Sequence, residues 1–91
     1  MFSEVVCVIS GNVQKVGFRD FVQGKAMEFG LTGWVRNNGD GTVTVLAQGI
    51  PDSLKALIEE LHEGSVLATI AGVAVDWQTP KELFSDFVVV Y

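Results

Sequence analysis

Residues 31–48, LTGWVRNNGDGTVTVLAQ, give the clearest structural instruction in the chain. Two runs rich in β-branched and aromatic residues flank Asn38-Gly39-Asp40-Gly41, and such a polar, glycine-rich junction predicts a β-hairpin. Strands are expected over Leu31–Asn38 and Thr42–Gln48. Alternation puts Val35 and Asn37 on one face, with Trp34, Arg36 and Asn38 on the other. Asn37 is therefore a polar residue on the apolar side, at a strand end where core gives way to a site.

On both sides of the hairpin the period becomes helical. Upstream, Phe18, Phe21, Val22, Ala26 and Phe29 share one side of a helix expected from about Asp20 to Phe29. Asp20 suits the positive end of its dipole, and Gly30 is a natural stop. Downstream, Gly49-Ile50-Pro51-Asp52 reads as a loop, and Leu54, Leu57, Ile58 and Leu61 form the stripe of a second helix. Asp52 or Ser53 is expected to cap it, with Glu59, Glu60 and Glu63 on its outer face. His62 is expected to be a partly exposed helix residue.

Three further strands are expected. Glu4–Ser10 is apolar on both alternating faces, as a central strand would be. In Val66–Trp77, Ala68 and Ile70 are out of phase with Val73, Val75 and Trp77, which predicts a bulge near Ala71-Gly72. Asp86–Tyr91 closes the chain. This order predicts an α+β, ferredoxin-like βαββαβ sandwich, with two helices on one face of an antiparallel-dominated sheet and an extra C-terminal strand. The 91 residues are expected to form a single domain, 1–91.

Composition narrows the function. A net charge of -5 argues against general nucleic-acid binding, which needs a basic surface. No signal peptide or membrane span is evident, since the longest low-polarity run, Ser65–Val75, falls short of the roughly 20 residues a span needs. Cys7 is alone, which excludes an intrachain disulfide and fits the cytoplasm; its expected role is a small buried hydrophobe. One His and one Cys give no metal-ligand pattern. Four of the six basic residues, Lys15, Arg19, Lys25 and Arg36, nevertheless fall in a short span.

The chemistry is expected in the loop Gly11-Asn12-Val13-Gln14-Lys15-Val16-Gly17-Phe18-Arg19, between the first strand and the first helix. Backbone N–H groups at a loop and helix N-terminus form an anion-binding concavity. Arginine adds a planar fork of donors matched to phosphate. The loop lacks the Gly-Lys-Ser/Thr ending of a nucleotide-binding P-loop, and Cys7 and Arg19 lie too far apart for a thiol phosphatase loop. No histidine is near and no carboxylate cluster suggests Mg²⁺. A site with donors but no evident acid, base or nucleophile suits an acyl phosphate. Its carboxylate leaving group has a conjugate-acid pKa near ~4 and departs without protonation.

Gly11-x-Val13-Gln14-x-Val16-Gly17-Phe18-Arg19, Gly30-Leu31-x-Gly33-Trp34-Val35-Arg36-Asn37 and Asp40-Gly41-x-Val43 resemble the motifs of the acylphosphatase family. The similarity continues through Gln48-Gly49 to Phe87…Tyr91. The resemblance implies a ferredoxin-like fold and metal-independent hydrolysis of small acyl phosphates, with no cofactor. It implies that Arg19 binds the phosphate, that Asn37 orients the attacking water, and that Val13, Gln14, Lys15, Val16, Gly17 and Phe18 form the phosphate cradle. Arg36 matches the motif but faces away from Asn37, and is expected to be structural or superficial. A monomer with no nucleic-acid or membrane partner is expected.

One position departs from the family pattern. Lys15 stands where the motif usually has glycine, and if the backbone there has φ > 0, a side chain costs roughly 1 kcal/mol or more. Either the loop distorts and loses donor geometry, or Lys15 adapts and its ammonium strengthens anion attraction; retained but altered activity is expected. Two competing readings remain at this level. One is a binding module without turnover, its cradle spoiled by Lys15. The other is an RNA-recognition module, faintly suggested by Lys15–Val22, which the acidic charge and the helical placement of Phe18 and Phe21 disfavour.

Overall fold

The computed structural model describes residues 2–91. The chain forms β1 (Ser3–Asn12), α1 (Phe18–Glu28), β2 (Thr32–Asn37), β3 (Val43–Gly49), α2 (Pro51–Glu63), β4 (Thr69–Gln78) and β5 (Phe87–Val90). The sheet order is β4-β1-β3-β2-β5. All pairings are antiparallel except that of β2 with β5. This is the expected ferredoxin-like sandwich with one strand added.

The core lies between the two helices and one sheet face. Val5, Cys7 and Ile9 of β1, Val35 of β2 and Val43, Val45 and Ala47 of β3 are buried against it. Phe18, Val22 and Ala26 of α1 and Leu54, Leu57 and Leu61 of α2 close it from the other side. Burial pushes the Cys7 thiol up to about 11, so it stays protonated and packs as a small hydrophobe. Lys25 reaches Glu60 at 3.3 Å and links the helices across the top of this layer.

The bulge expected near Ala71-Gly72 is present. Ser10 pairs with Gly72 and Gly11 with Ile70, so Ala71 is the extra residue, and the phase of β4 changes there. The cap expected for the second helix differs. Neither Asp52 nor Ser53 caps it; the N-cap is Ile50 in an extended conformation, without a side-chain bond. Pro51 starts the helix instead, because its fixed φ suits the first turn and its missing N–H would have no partner there. Helix α1 likewise begins two residues before the expected Asp20, at Phe18.

The β4–β5 connection runs from one sheet edge to the other, across the face without helices. Buried Gln48 holds it: its Nε2 donates to Glu4 Oε1 at 2.8 Å and to the Glu82 carbonyl at 2.5 Å. Its Oε1 accepts from the Phe84 N–H at 3.0 Å. Each of these buried polar groups thus has a partner, as burial requires.

Candidate active site

The antiparallel β1–β3–β2 arrangement brings the loop after β1 and the end of β2 to the same end of the sheet. Parallel pairing carries the end of β5 there as well. A cavity of about 150 Å³ opens at this end, lined by Val13, Lys15, Gly17, Phe18, Arg19, Asp20, Asn37 and Tyr91. Arg19 and Asn37, read separately from the sequence, therefore meet on one cavity.

The loop reaches α1 through Gly17, the N-cap, which has φ 74° and makes no side-chain cap. The Phe21 N–H donates to the Gly17 carbonyl at 3.0 Å, which sets the first helical turn. The N–H groups before it have no acceptor inside the helix, and the helix dipole adds positive potential at this end. Gly17, Phe18, Arg19 and Asp20, which carry this terminus, all line the cavity.

Arg19 is held from the far side. Its Nη1 donates to the Val90 carbonyl at 3.2 Å, and its guanidinium carbon lies 4.6 Å from the centre of the Tyr91 ring. One of five donors is used and the planar group is braced, which leaves donors for an anion. Asn37 lines the cavity with its Oδ1 enclosed and without a hydrogen-bond partner among the described residues. An unpaired buried polar atom costs about 1–3 kcal/mol, a cost that points to function when it falls at a cavity wall.

The side chain of Gln14 turns to the hairpin. It does not line the cavity; its Nε2 donates to the carbonyls of Asn38 and Thr42, at 2.8 and 3.0 Å. It therefore ties the loop to the hairpin turn directly after Asn37. That turn is stiffened by Asn38 Nδ2, which donates to Thr42 Oγ1 and Thr44 Oγ1 at 2.9 and 2.7 Å. Asp40 Oδ1 accepts from the Thr42 hydroxyl at 2.6 Å and from its N–H at 3.0 Å, which lowers the Asp40 pKa. Val16 also lies off the cavity and packs against the core.

Lys15 is the one described non-glycine residue with positive φ, at 62°. The strain foreseen for a side chain there is real: the left-handed conformation costs about 1–2 kcal/mol. The basic span does not converge, however. Lys15 and Arg19 reach the cavity, while Lys25 pairs with Glu60 and Glu28. Arg36 lies 5.0 Å over the Trp34 ring on the opposite face, the superficial role expected of it.

Two wall residues escaped sequence reasoning. Tyr91 lies within the family-like ending, but only the parallel β2–β5 pairing puts it beside Arg19. Asp20 read as a dipole partner alone, and helical geometry turns it to the cavity. Among the described residues no group of His, Cys, Asp or Glu is placed to hold a metal ion.

Comparison with known proteins gives the family. The family model described as Acylphosphatase matches residues 5–89. The chain belongs to the acylphosphatase family. It is similar to the acylphosphatase of Salinibacter ruber, at 46% identity over 87% of this chain and 83% of that one. It is similar to that of Bacillus licheniformis at 40% identity, over 92% and 93% of the two chains. The crystal structure of acylphosphatase from Bacillus subtilis superimposes with a TM-score of 0.93 and 35% identity, covering all of both chains.

Proposed function

We propose that this chain hydrolyses the carboxyl–phosphate bond of small acyl phosphates, releasing carboxylate and phosphate, without a metal or cofactor. The observation that carries the reading is the meeting of Arg19, the open N-terminus of α1 and Asn37 on one small cavity. In this reading Arg19 and the N–H groups of the loop and helix start hold the phosphoryl oxygens. Asn37, from another element, aligns a water for in-line attack. Phosphoryl transfer asks chiefly for charge stabilisation and alignment, which these groups supply. The leaving carboxylate needs no proton from the protein.

The side chains of Gln14 and Val16 support the loop's shape rather than touch the phosphate. Nothing about Lys15 favours the binding-only reading, because its strained backbone leaves the loop tethered by Gln14 and open to the cavity. The protein acts as a monomer in the cytoplasm, a state sedimentation would check.

Acetyl phosphate hydrolysis in the presence of EDTA tests the reading. Wild type turns over; Arg19→Ala and Asn37→Ala each lose about 10²–10³-fold in kcat/KM, the usual loss for an oriented donor. Wild-type hydrolysis no faster than buffer would refute it.

A further inference from the structure

Asp20 and Lys15 share the cavity wall with Arg19, and their charges decide what the cavity can hold. Arg19 and Asp20 alone would make the wall formally neutral, although the bound group is a phosphoryl anion. Lys15 restores a net positive charge. Neither Lys15 nor Asp20 forms a salt bridge among the described residues, so neither charge is consumed elsewhere. The lysine is also kept at a position with φ 62°, a conformation in which strain marks functional sites.

We propose that the Lys15 ammonium is a second cationic ligand of the phosphoryl group, which compensates the repulsion from Asp20 beside Arg19. This rests on the cavity being the phosphate site. Lys15 and Asp20 should then be energetically coupled through the bound anion, although they make no direct contact. A like charge next to a bound anion disfavours it, and an ammonium contact offsets this at short range.

The test is direct titration with inorganic phosphate, alongside the KM for acetyl phosphate, in wild type and the variants Lys15→Met, Lys15→Arg, Asp20→Asn and Lys15→Met/Asp20→Asn. Lys15→Met should weaken phosphate binding about tenfold, as expected for a lost charge-assisted contact. Lys15→Arg should restore it, and Asp20→Asn should tighten binding a few-fold. The double variant should bind within about threefold of wild type.

Both side chains are exposed, so the variants should fold, and thermal melting verifies this. Unchanged phosphate affinity in Lys15→Met overturns the proposal, as does a loss that Lys15→Arg fails to rescue. If Lys15→Met weakens only substrates whose acyl part carries a second carboxylate, Lys15 reads the acyl group and the proposal falls. If wild type binds phosphate but lacks turnover, the hydrolase reading fails, and the affinities still decide the role of Lys15.

Discussion

Lys15 separates stability from binding within a single residue. Lys15→Gly removes about 1–2 kcal/mol of left-handed strain and adds about 0.4–1 kcal/mol of chain freedom to the unfolded state. The variant should therefore gain up to about 1.5 kcal/mol, read as a higher urea midpoint at unchanged m. Its phosphate affinity should fall. Gln14 shows the opposite pattern, since it acts only by holding the loop. Gln14→Ala removes both carbonyl tethers and should cost about 1–2 kcal/mol. It should also lower kcat/KM roughly tenfold, since misplaced catalytic groups lose alignment. That Arg19 and Asn37 line one cavity follows from features legible locally: each sits in a local motif, and strand alternation alone set Asn37 on the apolar face. Tyr91 and Asp20 were not legible in this way: what places Tyr91 is a pairing between strands far apart in sequence, and what turns Asp20 inward is where its helix starts.

At the scale of elements, pattern worked where periodicity changed and failed where backbone dihedrals decided. The shift of phase between Ile70 and Val73 announced the bulge at Ala71. The start of α2 rested on Pro51 and the extended Ile50, while the polar residues Asp52 and Ser53 suggested a cap two or three residues too late. Gly33 is the firmest constraint within a strand. It has φ 136°, and a Cβ there would overlap the Leu46 carbonyl of β3. Gly33→Ala should destabilise the fold by at least ~2 kcal/mol, measured by chemical denaturation. Because Asn37 ends the same strand, activity should fall with it.

For the molecule as a whole, the order of elements was readable but the route of the last connection was not. Its anchor, Gln48, read as an ordinary strand residue, yet it is fully buried and bonded to Glu4, Glu82 and Phe84. Gln48→Leu leaves a carboxylate, a carbonyl and an N–H without partners under the crossing segment. The expected cost is about 3 kcal/mol, a lower melting temperature with the residues of the cavity wall themselves intact.

The bond from Arg19 to the Val90 carbonyl joins residues 71 positions apart, near the two ends of the sequence. Gln23 Nε2 adds a second link, donating to the Phe87 carbonyl at 3.0 Å. A bound anion that orders Arg19 therefore also clamps β5, a short edge strand of the kind that opens locally before the whole fold does. Ligand at 100 times its dissociation constant is worth about 2.7 kcal/mol against any opening that destroys the site. Amide hydrogen exchange in Val88–Val90 should then slow by about two orders of magnitude when phosphate saturates the cavity, so the last strand reports occupancy from outside it.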